Sequence, residues 1–344
     1  MPGSGRIELS QALNNGWEKR MNVRMALLAC SLIAAPQISA ASDAAPWPTK
    51  PIHIIVPGGV GGVTDIRARW LADHLAPALN QSVIVENKPG TGGNIGMEMG
   101  ARSAPDGYTL IIIHQGTMTF NPYLYRRLGY DPIADFAPIT RIGMGPLLLA
   151  VHPDVPATTV VELVKLAKAK PGQLSFGSPG IGTPPHMAGA LFKQMTGIDT
   201  VHVPYQGGGK AVSDLIGGHI TYSIEGLTVQ LPFVKAGRRR AGAVTGPQRV
   251  ASLPDVPTMA EAGVPGYEFQ GWVGIAAPAA TPKPIIARLY REISAIYATA
   301  EAREWFADVG ADPGADPPDV FAASIRAEHA KWGRIIREQG ITIE

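Results

Sequence analysis

One local pattern recurs along this chain and limits what it can become. It is a short β-rich run, then a loop heavy in glycine, then a stretch with helical spacing. The first copy is Pro51-Ile-His-Ile-Ile-Val56, followed by Pro57-Gly-Gly-Val-Gly-Gly-Val-Thr-Asp65. A helix over 66–78 follows, with apolar residues at 66, 70, 71, 75 and 79. Thr64 is its expected N-cap, and Asp65 suits the positive helix end. The second copy runs from the strand Ser82-Val-Ile-Val-Glu86 through Asn87-Lys-Pro-Gly-Thr-Gly-Gly93 to a helix over 94–101. A strand over 108–113 leads into His114-Gln-Gly-Thr-Met-Thr119. Residues 147–151 are apolar and stop at His152-Pro153. A helix over 159–169 follows, capped by Thr158 or Thr159. The pattern returns in the strand 174–177, its loop to Pro185 and the helix 186–196. It returns again in the strand 201–205, Gln206-Gly-Gly-Gly209 and the helix 211–216. Alternating strands and helices imply α/β layers with mainly parallel strands. Residues 278–284 read as a connection, and the chain from Ile285 reads mostly helical.

Four glycine-rich loops therefore follow strands and open helices. Ligands of open α/β sheets sit outside the carboxyl ends of strands. Glycine allows close backbone approach, and a helix N-terminus favours an anion. No Arg or Lys falls within 58–65, 177–185 or 204–209. An anion bound there is held by amides, hydroxyls and water. The competing reading is that these glycines serve only tight turns.

Length and charge set further bounds. At 344 residues the chain has room for about two domains, each able to bury a core. Apolar residues make up 45% and charged residues 17%, which excludes a disordered chain. Residues 1–40 hold Arg6, Lys19, Arg20 and Arg24 against Glu8 and Glu18. The remainder carries 26 basic and 26 acidic residues, so nucleic acid and anionic membrane are not expected partners. The single cysteine, Cys30, lies in the leader, which excludes a disulfide framework and a cysteine metal site in the body.

Residues 1–41 read as a leader. Arg24 precedes the apolar run 25–35, and the small residues Ser39-Ala-Ala-Ser42 follow. That is the build of a secretory signal peptide, too short to span a membrane. Cleavage is expected near Ala40 or Ala41, with translation starting at Met21 and the product soluble and periplasmic. A lipid anchor on Cys30 is the rival, but the apolar stretch before it is too short.

Several chemistries are excluded by spacing. A dinucleotide fingerprint would need Gly at 64 or 95, where Thr64 and Ile95 stand. No loop ends in Gly-Lys-Ser/Thr, so there is no P-loop. A nucleophile elbow around Ser178 would need Gly at 176, where Phe176 stands. Ser178 and His186 remain as a possible hydrolytic pair, with lining a cleft or capping a helix as the alternative. The eight histidines show no tight ligand spacing, so no metal site is expected. Arg238-Arg-Arg240 reads as a solvated turn.

The motifs taken together resemble the extracytoplasmic solute receptors of the tripartite tricarboxylate transporter type, the Bug family. The resemblance spans from Trp47-Pro48 to about Gly340. It rests on Val85-Glu-Asn-Lys-Pro-Gly-Thr-Gly-Gly-Asn-Ile-Gly96, Pro105-Asp-Gly-Tyr-Thr-Leu110, Asn121-Pro-Tyr-Leu-Tyr125 and Asp135-Phe-Ala-Pro-Ile-Thr140. Further matches are Gly177-Ser-Pro-Gly-Ile-Gly-Thr183 with His186, Val203-Pro-Tyr205, Asp214-Leu-Ile-Gly-Gly218 and Leu253-Pro-Asp-Val-Pro-Thr258.

The resemblance implies an α/β, two-lobed periplasmic binding protein, type II-like. Each lobe would be a mainly parallel sheet flanked by helices, with a small organic carboxylate in the interlobe cleft. Lobe 1 would comprise 47–148 and 271–344, and lobe 2 would comprise 149–270. A membrane permease is the implied partner, the chain is expected to act as a monomer, and no cofactor or catalytic residue is implied. The first loop departs from the family, because Gly58 and Val60 replace an aromatic residue and a second proline. Gly207-Gly-Gly-Lys210 departs from a stretch that often holds Ala and Pro. Where the family often has aspartate, Glu225 stands; it narrows the pocket, meets a ligand donor, or is solvated.

The expected contacts follow. Gly61, Gly62 and Thr64 offer amides or a hydroxyl, and Asp65 stabilises its helix start. Gln115 and Thr117 approach from another strand-end loop. Ser178, Gly180 and Thr183 contribute from the second lobe, with His186 beneath them, Tyr205 on the adjacent loop and Glu225 nearby. Two rival roles remain: a sensor feeding a signalling partner, and a hydrolase or isomerase using Ser178 and His186.

Overall fold

The computed structural model describes residues 47–338. The leader, its cleavage site and Cys30 lie outside the described residues.

The strands form where β-branched residues cluster. β1 (Ile52–Val56) pairs in parallel with β2 (Val83–Asn87) on one side and β3 (Thr109–His114) on the other. β3 then pairs antiparallel with β9 (Gln270–Pro278), a strand from far along the chain. β9 pairs antiparallel with β4 (Phe136–Val151), a 16-residue strand, over residues 136–146. The last five residues of β4 leave that sheet for a second one. There Leu147–Val151 pairs antiparallel with β7 (Tyr222–Gly226) and β8 (Arg240–Val244). β7 continues in parallel to β5 (Ser175–Ser178), and β5 to β6 (Val201–Pro204). The sheet is therefore mixed: parallel pairing joins β2, β1 and β3 at one end and β6, β5 and β7 at the other, and antiparallel pairing joins β4 to β9, β7 and the edge strand β8.

Helices cover these sheets. α1 (Val63–Leu79) buries Leu71, Leu75 and Leu79 against β1 and β3 neighbours such as Ile54 and Ile112. Its N-cap is Gly62, so Thr64 sits inside the first turn and does not cap the helix. α2 (Asn94–Ala101) and the short α3 (Asn121–Leu124) follow. α4 (Val160–Ala169) starts in a capping box in which Thr159 and Glu162 satisfy each other's backbone. α5 (Pro184–Thr196), α6 (Gly208–Ile216) and α7 (Leu227–Lys235) follow β5, β6 and β7. α8 (Lys283–Tyr297), α9 (Ala300–Asp308) and α10 (Pro318–Glu338) form the helical C-terminal part. Phe176, Phe192 and Tyr222 fill the core of the second half, while Ile52, Ile54 and Leu75 fill that of the first.

The triple arginine is not a solvated turn. Arg239 is 3% exposed, and it donates to the Gln230 side chain and the Val212 carbonyl. Arg240 donates to the carbonyls of Pro153, Val155 and Ala157. Both serve the fold by closing buried backbone acceptors. Among the described residues no helix is long and apolar enough to cross a membrane.

Candidate functional site

The loops at the strand ends of the two halves meet around a cavity of about 300 Å³. One wall is built from 57–59, 62–64 and 89–93, and the facing wall from 179–181, 183–185, 204–208 and 225–228. The halves touch backbone to backbone. A Cβ added at Gly59 would lie 2.4 Å from the Gln206 carbonyl, and one at Gly207 would lie 2.7 Å from the Gly59 Cα. Only bare backbone permits this approach. The Tyr125 hydroxyl also crosses the cleft and donates to the Ile181 carbonyl at 3.0 Å.

Five helices begin at this cavity. Their N-cap residues are Gly62, Gly93, Thr183, Gly207 and Gly226, and every one lines it. None of the five carries a side-chain cap. The first backbone amides of a helix lack partners within it, and the helix end carries partial positive charge. Their convergence makes a site suited to negative charge, built from main chain.

The residues singled out from the sequence divide into two sets. Gly62, Thr64, Gly180, Thr183, Tyr205 and Glu225 line the cavity. Gly61, Asp65, Gln115, Thr117, Ser178 and His186 are absent from its lining. Asp65 accepts from the Gly61 amide at 2.9 Å and pairs with Arg69, which fixes the turn ahead of α1. Gln115 donates to Glu328 of α10. Thr117 donates to the His114 carbonyl. Thr183 donates to the Gly180 carbonyl at 2.6 Å. The Tyr205 hydroxyl donates to Asp214 at 2.7 Å, and burial raises its pKa, so it stays neutral.

Ser178 and His186 do not pair. The Ser178 hydroxyl lies 2.7 Å from Nε2 of His202, whose strand β6 pairs with β5. Ser178 is fully buried, so it presents no nucleophile to the cavity. His186 accepts from the Gly182 amide and stacks on His202 with ring centroids 4.3 Å apart. Burial lowers both imidazoles, His186 to about 4 and His202 to about 3, so both are neutral at pH 7.

The two departures in the first loop differ in effect. Gly58 lines the cavity, and a Cβ there would lie 2.6 Å from the Thr64 hydroxyl. Val60 is 69% exposed and covers nothing. Glu225 is not solvated: it is 4% exposed, with Oε1 accepting from the Gly226 amide at 2.8 Å. Its Oε2 has no hydrogen-bond partner among the described residues. Burial raises its pKa to about 7, against the opposing pull of the Gly226 amide and Arg239.

Among the lining residues that sequence reasoning missed, Arg67 and His114 carry ionisable nitrogen groups. Arg67 lies on α1, 4% exposed, and its Nε has no hydrogen-bond partner. It stands four residues before Leu71 and eight before Leu75, on the buried face of the helix, and that spacing is a legible signal. His114 ends β3 and is fully buried, with its pKa lowered to about 4 by desolvation. The Thr117 amide donates to its Nδ1, which leaves the proton on Nε2. Among the described residues no cluster of three metal-binding side chains is present.

A family model described as "Tripartite tricarboxylate transporter family receptor" matches residues 67–341. The chain is 35% identical over 313 residues to protein BugT of Bordetella pertussis, covering 91% of this chain and 96% of that one. Among solved structures it is similar to "R. palustris Rpa4515 with adipate", with TM-score 0.84 and 36% identity, covering 86% of this chain and all of the other. It is likewise similar to "periplasmic binding protein BugD", with TM-score 0.83 and 32% identity, covering 86% of this chain and all of the other. The fold is that of a two-lobed periplasmic binding protein.

Proposed function

Because the chain belongs to the receptor family of the tripartite tricarboxylate transporters, we propose that it captures a small organic carboxylate and delivers it to a membrane permease. The family's members are solute receptors, and the Rpa4515 structure is described with adipate. The observation that carries the reading is the convergence of five uncapped helix N-termini on one cavity. Those amides supply donors for a carboxylate where no lysine or arginine stands in the loops at 58–65, 177–185 and 204–209. Gly62, Thr64, Gly180, Thr183 and Tyr205 are the proposed ligand-facing residues from the two walls. Gly61, Asp65, Gln115, Thr117, Ser178 and His186 hold those walls in place.

The lobes divide at the two passages of the chain between sheets, near 148 and 271. Closure around these passages shifts the population toward the form a permease recognises. The protein is exported through a cleaved signal peptide and acts as a monomer without catalysis. The buried, cavity-remote Ser178 supports a receptor over a hydrolase.

The test is thermal unfolding of the purified chain against a panel of aliphatic and aromatic carboxylates. A ligand at 100 times its Kd adds about 2.7 kcal/mol, which raises the midpoint by about 5 °C at this size. A shift without chemical change of the acid is the expected result. Turnover of the bound acid, or no shift with any acid, rejects the reading.

A further inference from the structure

Arg67 is a buried cation in a cavity wall, and among the described residues no acidic side chain pairs with it. The titratable group acting on it is the Tyr297 phenol, which burial keeps neutral. Desolvation lowers the Arg67 pKa to about 10, which leaves it charged at neutral pH. An unpaired buried charge is costly and needs a reason. The fold even clears space for it: a Cβ at Gly143 would lie 2.7 Å from Nη1 of Arg67. Arg239 shows how the same side chain is treated when it serves the fold. It too is buried, but it donates to Gln230 and to the Val212 carbonyl.

Glu225 is the counterpart on the other wall. One carboxyl oxygen takes the Gly226 amide and the other has no partner. That second oxygen lies beside Gly208, where a Cβ would meet it at an ordinary contact distance of 3.4 Å. The charged group acting on it from behind is Arg239, already engaged elsewhere. His114, the imidazole in the lining, is neutral. The cavity therefore presents one fixed cation and one acidic oxygen, each without a hydrogen-bonding partner among the described residues.

Resting on the receptor reading above, we infer that Arg67 pairs directly with a carboxylate of the ligand, and that Glu225 accepts from an amino or hydroxyl group elsewhere on it. The ligand class is then an amino or hydroxy carboxylic acid. A plain dicarboxylate would set its second carboxylate against Glu225, where like charges repel.

Matched acids test this by calorimetric titration of the purified chain at pH 8. Three series are used, each bearing a carboxylate, amine, hydroxyl or hydrogen at the far end. They are adipate, 6-aminohexanoate, 6-hydroxyhexanoate and hexanoate; their four-carbon counterparts; and the para-substituted benzoates. In at least one series the amino or hydroxy acid is expected to bind about tenfold or more tighter than the dicarboxylate. Arg67→Met is expected to lose about 100-fold for that acid, as when one partner of a buried charge pair is removed. Its unliganded unfolding midpoint should stay level or rise, which shows that the variant folds and that the arginine does not serve stability. Glu225→Gln is expected to erase the preference over the hydrogen-terminated acid.

Unchanged affinity in Arg67→Met overturns the Arg67 assignment while leaving the receptor reading intact. Tightest binding by a dicarboxylate in the unmodified chain overturns the Glu225 assignment. No binding by any acid in the three series overturns the receptor reading, and this inference with it.

Discussion

Seven helices of this protein fall into two groups by how they begin, while α3 and α8 lack a side-chain cap and open away from the cavity. α4 and α9 open away from the cavity, and each is closed by a threonine: Thr159 accepts from the Glu162 amide and Thr299 from the Ala302 amide. The five helices that open at the cavity start at Gly62, Gly93, Thr183, Gly207 and Gly226, with no side-chain cap at any of them. A helix start that is sealed by its own sequence stabilises the fold. One left open keeps its donors for something else. Within these seven, the contrast separates capped ends that serve stability from uncapped ends gathered at one cavity.

That contrast can be broken at Glu225, the carboxylate already seated at the start of α7. Its folded pKa of about 7 stands above the ordinary value of 4.5. Between those values the folded state holds a proton the unfolded state has released. Stability therefore falls as pH rises from about 4.5 to about 7 and is level above that. Glu225→Gln should remove this loss and stabilise the unliganded protein by up to about 3 kcal/mol above pH 7. Three buried imidazoles, at His114, His186 and His202, act oppositely, losing stability as pH falls below about 6.5. Denaturant titrations of both proteins from pH 4 to 9 isolate the carboxylate in the difference. A difference that does not grow between pH 4.5 and 7 would show that Glu225 is not buried in solution.

A second intervention seals one of the open ends. Gly62 has extended backbone angles that any residue adopts, φ −82 and ψ 167. Gly62→Asp should supply the missing cap, keep or raise stability, and weaken carboxylate binding about 100-fold, near 2.7 kcal/mol. Equal affinity in that variant would mean the α1 amides take no part in binding.

Closure offers a smaller effect. Gly59→Ala would put a methyl group against the Gln206 carbonyl. An expected tenfold loss of affinity, about 1.4 kcal/mol, with little change in unliganded stability, would tie the glycine contact to the closed form. Thr159→Ala should give the smallest change. It costs about 1 kcal/mol of stability by denaturant titration and leaves affinity untouched.

Much of the scaffold was legible before the structure. The strands and the glycine loops announce themselves through local composition, so β1, α2 and the loop at 177–185 fall where spacing puts them. The wall residues were less legible, for a physical reason. Thr64 looks like a cap because it precedes a helical run, but Gly62 starts the helix two residues earlier. The partner of Ser178 is His202 on the neighbouring strand, and only strand register brings them together. The burial of Glu225 depends on β4 changing sheets, which sets Leu148 opposite it. Arg67 was legible in principle, since its spacing from Leu71 and Leu75 marks the inner face. A search for cations confined to the loops passes over it.

The long-range strand β9 has a consequence for the order of events at birth. β3 finds its first neighbour, β1, within the same stretch of chain, but its second is residues 270–278. The first 11 residues of β4 wait for the same segment. Until most of the polypeptide has left the ribosome, the N-terminal sheet has an unfilled seam and cannot complete. Pairings so distant in sequence also slow folding. For the exported protein proposed above, that delay is useful. The chain remains threadable while its leader is being recognised, and the last strand to arrive closes the seam of the N-terminal sheet.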